Sequence, residues 1–550
     1  MTEQRARRRS LLAGVAGAAG SIAVLTVISR VLGFGRWMAQ SSTVGPTAPG
    51  DAYAAANLLP NVLYEVVAGG ALAGVVVPLL ATPIAAKLRG QVDAVASAML
   101  TWALVVLIPV GLAVALLARP IAGLLPVPDG ADAVAIDDVT TYFLIVFSPQ
   151  VPLYGIGVVL TGVLQAHRRF LAPAIAPIAS TLVVIVSYLL FSRLADGLQE
   201  SPEALSDGAL AVLAWGTTAG VAALSLPLLL PVRRAGVRLR PRLAFPPGVA
   251  RRLRSLAMAG LGGVLAQQIA AVVVMLLARR GGVAGTFNVF QYTQAVYMLP
   301  YAVLAVPLVT VFQPRLAELS DGGVGAGLAR LAERSSRTVI AAGLFGAGLL
   351  AALAPAAHAA FGALGSIAAG ASGDPVPGMT QALTWMAPGV VGLGLLLHAG
   401  RMLLALDRSR ATVLATASAW LVTALAAAVA VRVLAPEGGD GVRTLIGLGL
   451  AHTVGMTCGG LVVLLVLRQI MPPGFLRGLA RSLVVGAASA GVGAVVGRLG
   501  VNAVLSIGRE SLVSVLMAAL LGAVVVTLAT FLGLRTFDRA ILASVRSGHG

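Results

Sequence analysis

Residues 93–118 read DAVASAMLTWALVVLIPVGLAVALLA, and after Asp93 no charge appears until Arg119. A helix that crosses a bilayer needs roughly 20 predominantly apolar residues. A strand of a membrane β-barrel would instead alternate in polarity over about 10. This run is long and continuous, so it predicts a transmembrane helix. Because hydrocarbon satisfies no open backbone, the segments that accompany it in the membrane are expected to be helices too.

Working outward, fourteen segments of this kind are expected, over 20–45, 52–86, 93–118, 139–166, 171–193, 208–231, 252–278, 284–314, 337–363, 379–405, 411–432, 444–467, 479–499 and 511–534. The fold class is therefore an all-α polytopic membrane protein. Composition agrees: of 550 residues 58% are hydrophobic and 11% charged, against about 25% charged in soluble domains, and the mean hydropathy is +0.93. The 65 glycines and few aromatics suit helices that pack closely in lipid. The lone Cys458 excludes a disulfide within the chain and a cysteine-ligated metal.

The formal charge is +18, with Lys87 the single lysine. In a membrane chain such an excess marks topology and attraction to anionic lipids, not nucleic-acid binding. Basic residues recur after every second segment: Arg5, Arg7, Arg8 and Arg9 before the first, Lys87 and Arg89, Arg168 and Arg169, a run from Arg233 to Arg254, Arg330 to Arg337, Arg408 and Arg410, Arg468 to Arg481, and Arg535 and Arg539. Several intervening connections are acidic, among them Asp129 to Asp138 and Asp196 to Asp207. The positive-inside rule then puts both termini in the cytoplasm of a bacterial inner-membrane protein. Arg279 and Arg280 are exceptions, falling on the outer side. The start RARRR followed by an apolar stretch also fits a signal peptide, the alternative to a first spanning helix.

The parts expected from this pattern are a basic cytoplasmic or interfacial N-terminus at 1–19, an N-terminal lobe of six helices at 20–231, a basic cytoplasmic linker at 232–253, a C-terminal lobe at 254–468, two further helices within 479–534, and a cytoplasmic tail at 535–550. Leu59-Pro60 in the second segment and Leu299-Pro300 in the eighth lie 300 − 60 = 240 residues apart. This offset fits a parallel duplication, a feature of transporters with their site between the halves; prolines scattered by chance fit it as well.

Three stretches carry a resemblance: Ser29 to Arg36 (SRVLGFGR) with Asp51-Ala52-Tyr53, Leu59-Pro60-Asn61 and Gly69-Gly70-Ala71; Gly162 to Pro177 (GVLQAHRRFLAPAIAP); and Arg401 with Leu404 to Asp407. Together they resemble the MurJ (MviN) family of the MOP exporter superfamily. The resemblance implies a flippase that carries lipid II, the undecaprenyl-diphosphate-linked cell-wall precursor, from inner to outer leaflet by alternating access. It also implies two six-helix lobes around a cationic cavity, with a lipid-tail groove on the last two helices. A related exporter of another polyprenyl-linked glycan or of a drug, and a non-transporting scaffold, are the alternatives. No enzyme signature, nucleotide site or metal motif is evident, no cofactor is expected, and an ion gradient or the membrane potential would supply energy. Lipid II, anionic membrane lipids and other cell-wall synthesis proteins are the expected partners, with no nucleic acid.

The substrate-binding candidates are Arg30, Arg36, Asp51, Asn61 and Glu65. Arg30 and Arg36 interrupt an apolar segment, where a central charge costs roughly 3 kcal/mol or more unless it faces a cavity or a partner. A diphosphate suits planar, always-charged guanidinium donors. Six residues separate the two by about 120° on a helix, and Gly33 and Gly35 offer a bend between them. Snorkelling to water, or pairing with Glu65, is the other reading. Asp51 fits an N-cap of the second segment or, by the resemblance, a gating contact. Cavity candidates are Tyr64, Gln267, Gln268, Gln291, Gln294 and Arg401; the glutamines also fit hydrogen bonds between helices. The resemblance implies arginines where this chain has Tyr64 and Ala295, and an acid where it has Gly69.

Overall fold

The computed structural model describes residues 24–538 apart from 68–72, 130, 201, 248, 321–323, 370–373, 375, 473–474 and 509–510. The expected N-terminus at 1–19, the Gly69-Gly70-Ala71 motif and the tail from Arg539 lie outside the described residues. Among those described the chain is helical, and its β-pairing is one isolated bridge between Asp129 and Val283.

In chain order the helices are α1 (24–43), α2 (Ala48–Glu65), α3 (Ala73–Ala85), α4 (Arg89–Leu116), α5 (Ala118–Gly123), α6 (Ala133–Phe147), α7 (Gln150–Ala166), α8 (Leu171–Ala195), α9 (Asp207–Ser225) and α10 (Leu229–Arg234). They continue with α11 (Val249–Gly281), α12 (Thr286–Pro300), α13 (Val306–Ser320), α14 (Ala326–Ala369), α15 (Met379–Met386), α16 (Gly389–Ala405), α17 (Ser409–Leu434), α18 (Gly441–Ile470), α19 (Arg477–Ile507) and α20 (Leu512–Phe537).

Among the described residues eleven spans are long and apolar enough to cross a membrane, or twelve if α15 and α16, bent by 45° at their junction, form one. These correspond to the third through fourteenth expected segments. The first two expected segments are not among them, so the count of fourteen is not reached. The first is described only from residue 24, and its helix carries Arg30 and Arg36. The second is described as α2 and α3, with 68–72 between them outside the described residues, and neither counts among these spans.

The π-turned end of α2 has a counterpart. A π-turn occupies residues 66–67 beyond Pro60, and another occupies Tyr301–Ala305 directly after Pro300. Elsewhere the likeness between the halves is closer. Pro149 precedes α7 and Pro388 precedes α16, an offset of 388 − 149 = 239 residues. Each of these 17-residue helices is followed by a non-glycine residue in the left-handed region, Arg168 and Asp407, again 239 apart.

The chain divides into two units. Of the described residues, the first contains those within 24–44, 56–123 and 137–261. Its core is formed by Val76 and Leu80 of α3, Val95 and Met99 of α4, and Val159, Leu160 and Val163 of α7. Beyond α10 the chain turns at Gly236 (φ +83°) and runs back along α4. The N–H groups of Arg238, Arg240 and Arg242 donate to Asp93 Oδ1 (2.9 Å), Ser97 Oγ (3.0 Å) and Thr101 Oγ1 (2.9 Å), and Trp102 Nε1 donates to the Leu243 carbonyl (2.8 Å). Two residues of this strap therefore keep pace with each turn of α4. Extended backbone advances about 6.6 Å in two residues and a helix about 6 Å in four, so only an extended strap fits.

The second unit contains 45–55, 124–136 and 262–550. Its core joins Leu316 of α13, Leu328 and Ile340 of α14, Met402 and Leu403 of α16, Ala415 and Ala419 of α17, and Met456 and Val463 of α18. Small residues let these backbones approach: a Cβ added at Gly460 would meet the Gly392 Cα at 3.0 Å. Directly after α20, Asp538 is buried and accepts from Arg337 Nη2 (2.6 Å) and Ser482 Oγ (2.8 Å), fastening the end of α20 to α14 and α19.

Candidate functional site

In the first unit the two arginines of α1 stand apart. Arg30 is exposed and Arg36 half-buried, with the Arg36 guanidinium 5.2 Å from the ring centre of Trp37. Helix α1 continues uninterrupted through Gly33 and Gly35. Glu65 is exposed at the end of α2, and among the described residues neither arginine forms an ion pair with it.

Asn61 and Tyr64, three residues apart, share a face of α2 and meet α7. Asn61 Nδ2 donates to the Asn57 carbonyl (2.7 Å), and its Oδ1 accepts from the Tyr154 hydroxyl (3.1 Å). The Tyr64 and Tyr154 rings lie 4.5 Å apart at a tilt of 36°. At the position where the family resemblance implies an arginine, this chain therefore has a tilted aromatic pair beside an amide.

In the second unit Asp51 takes a different role from the expected N-cap. Helix α2 begins at Ala48, and Thr47 caps it: the Thr47 Oγ1 accepts from Gly50 N (3.1 Å) and its carbonyl from Asp51 N (2.8 Å). Asp51 sits within the first turn, where a carboxylate also complements the helix dipole. Its Oδ2 accepts from Arg279 Nη1, and both side chains are 1% exposed. Arg279 Nε donates to the Pro126 carbonyl (2.8 Å).

The surrounding backbone is closely fitted. Gly285, at φ +87°, leads into α12 so near to Pro46 that a Cβ there would overlap the Pro46 carbonyl. Asn288 Nδ2 donates to the Gly45 carbonyl (3.2 Å), and Asp440 N donates to the Gly281 carbonyl (3.0 Å). Segments 45–51, 126–129, 279–288 and 438–440 of the second unit thus meet around one buried ion pair.

The remaining candidates fall elsewhere in this unit. Gln267, Gln291 and Gln294 are half-buried and Gln268 is buried. Ala295 is half-buried on α12. Arg401 Nη1 donates to Gln313 Oε1 (2.8 Å) beside buried His398, whose Nε2 lies 3.0 Å from Ser335 Oγ. Among the described residues no group of three or more His, Cys, Asp or Glu is arranged to hold a metal ion.

Arg279 is the residue that sequence reasoning missed. It fell on the outer side against the charge alternation, but so did Arg280, Arg119, Arg193, Arg443 and Arg509, and nothing in the sequence set it apart from them. In the Arg337–Ser482–Asp538 network, the sequence marks Arg337 only as a topology charge and gives no signal for Ser482 or Asp538.

Residues 40–501 match the family model described as lipid II flippase MurJ. The chain is 30% identical over 305 residues to a probable lipid II flippase MurJ of Rhizobium meliloti (strain 1021), an alignment covering 54% of each. The chain spans about half the length of the curated relatives it matches. Its fold is similar to a solved structure of the lipid II flippase MurJ in an inward closed conformation, with a TM-score of 0.68 at 15% identity, covering 94% of this chain and 99% of that one. It is also similar to an inward-facing multidrug resistance MATE family transporter of the MOP superfamily, with a TM-score of 0.60 at 15% identity, covering 82% and 94%.

Proposed function

We propose, on the premise that this chain belongs to the lipid II flippase MurJ family, as its match over 40–501 establishes, that it carries lipid II from the inner to the outer leaflet of a bacterial cytoplasmic membrane. The family match carries this reading, and the arginines of α1 give it a chemical footing. Arg30 and Arg36 are available to a ligand, as the buried Arg279 is not. A diphosphate offers the multiple acceptor oxygens that two guanidinium groups bind best. Asn61 and the Tyr64–Tyr154 pair, on α2 and α7 of the same unit, supply amide and aromatic surface of the kind that receives sugars and peptides.

Movement is assigned to alternating access. The π-turned stretches after Pro60 and Pro300 are the flexible points, and the linker between the proposed lobes at 20–231 and 254–468 yields beyond Leu243, where the strap's hydrogen bonds to α4 end. Both termini face the cytoplasm, α19 and α20 accommodate the polyprenyl tail, and an ion gradient or the membrane potential drives the cycle. A cross-link between the lobes on the cytoplasmic side that leaves transport intact would refute this motion.

A second reading, export of another polyprenyl-linked glycan, has one observation in its favour: Tyr64 and Ala295 stand where arginines are implied. The deciding experiment expresses the chain in cells depleted of their own flippase and detects outer-leaflet lipid II with an externally added probe. Restored exposure, lost again in Arg30→Ala, supports lipid II transport. A correctly inserted chain that restores nothing transfers the reading to the other glycan.

A further inference from the structure

We propose that the strap over 237–243 and helix α4 form a binding site for one anionic glycerophospholipid of the cytoplasmic leaflet, its phosphate held by Arg238, Arg240 and Arg242 and one acyl chain lying along α4. The strap presents these arginines in register. Its main-chain N–H groups at 238, 240 and 242 all point at α4, and alternate residues of extended backbone share a face. The three arginines are exposed, whereas Val237 between the strap and the core is buried and Leu239 is half-buried. The Arg242 Nε donates to the Ala244 carbonyl (3.0 Å), which orients its guanidinium, and Asp93 Oδ1 accepts from the Arg238 N–H.

The same two elements enclose a groove of about 450 Å³. Leu100, Leu104, Val105, Ile108 and Pro109 of α4 and Leu239 and Pro241 of the strap make it apolar, while Ser97, Thr101 and Arg240 form its polar end. From Ser97 to Pro109 the helix rises about 18 Å, close to half of the roughly 30 Å hydrocarbon core and so to the reach of one leaflet's acyl chain. Helix α4 has 28 residues, about 42 Å of length. The helix is thus about 12 Å longer than the hydrocarbon core, and the strap lies along its N-terminal half, from Asp93 to Trp102. A row of exposed arginines flanking the polar end of an apolar groove one leaflet deep matches an anionic phospholipid; a soluble anion would leave the groove empty, and a zwitterionic lipid would gain little from the arginines. Exposed Arg233, Arg234 and Arg89 adjoin in sequence and add to the local field.

The test reconstitutes the full chain in phosphatidylcholine nanodiscs doped with photoactivatable phosphatidylglycerol, then maps the cross-linked peptides. Capture on peptides containing 97–109 and 237–243 is expected, with about fivefold weaker apparent affinity for each Arg→Gln change and roughly a hundredfold for Arg238→Gln, Arg240→Gln and Arg242→Gln together, the size expected for a basic residue near a charged headgroup. The three lysine replacements should retain most of the capture. These variants keep the N–H groups that hold the strap, and unchanged helical circular dichroism checks this. Val105→Trp, which fills the groove and leaves the charges, should also abolish capture. Equal capture of photoactivatable phosphatidylcholine, or capture that the triple glutamine variant does not weaken, overturns the proposal. Neither readout depends on lipid II transport.

Discussion

Arg279 and the Arg30–Arg36 pair are guanidinium groups on long apolar helices, and they are handled in opposite ways. Arg279 is shut inside the second unit against Asp51 and the Pro126 carbonyl, with no surface left for a ligand. Arg30 is exposed and Arg36 half-buried in the first unit, and neither forms an ion pair among the described residues. The contrast shows how a charge in an apolar helix divides between structure and function. One that the fold neutralises is architecture, and removing either partner leaves the other charge buried alone. One that the fold leaves open must be offset by water or by a ligand, and is the place to look for binding.

The largest expected effect falls on the closed site. Arg279→Met should destabilise the protein by about 3–5 kcal/mol, because Asp51 then remains as an uncompensated buried carboxylate. Thermal unfolding in detergent checks it, and the double variant Asp51→Leu with Arg279→Met should recover much of the loss. If the two single changes simply add, the ion pair is not the coupled unit described here.

A smaller loss is expected at the end of α20. Asp538→Ala deprives Arg337 and Ser482 of their shared acceptor, at about 1.5–3 kcal/mol for hydrogen bonds to a charged group. Proteolysis near residue 538 should accelerate in the same variant, since the α20 terminus loses its tie to α14 and α19. Thr47→Val ranks below this, at about 1 kcal/mol, if Thr47 rather than Asp51 caps α2; equal protection of α2 amides from hydrogen exchange in the variant would argue against that capping role.

The same contrast explains what could be read from the sequence. The all-helical membrane fold was evident in long uncharged runs such as 93–118, because a bilayer makes length and polarity nearly sufficient evidence. The pairing of Asp51 with Arg279 was not, since it joins residues 228 apart and no periodicity links them. Asp51 resembled an N-cap because the helix was expected to begin at 52, whereas it starts at Ala48 and Thr47 takes that position. The strap had a signature that charge counting hid: arginines at 238, 240 and 242 alternate with period two, and Asp93, Ser97 and Thr101 repeat every four residues along α4. Each is the natural spacing of its own backbone, and only their pairing required the structure. The Tyr64–Tyr154 contact was hidden in the same way, since a family pattern implies an arginine at 64 and says nothing of what replaces its partner.

The smallest expected change in stability belongs to the open site, and it is the most informative. Arg30→Gln with Arg36→Gln removes two charges that no described acid offsets, so unfolding should shift by no more than about 0.5 kcal/mol, the usual range for substitutions away from buried networks. Outer-leaflet exposure of lipid II should nevertheless fall sharply, because the change removes the donors assigned to the diphosphate. The two measurements answer separate questions when made on one preparation. A large loss of stability would mean that these arginines are neutralised within the fold after all, which removes the distinction from Arg279. Unchanged stability together with unchanged exposure would mean that they are open and unused, and the diphosphate would have to be held by other cations. Only stable protein with lost transport fits guanidinium groups kept free for a ligand, and Arg30→Lys with Arg36→Lys then asks whether the bidentate geometry matters or charge alone suffices.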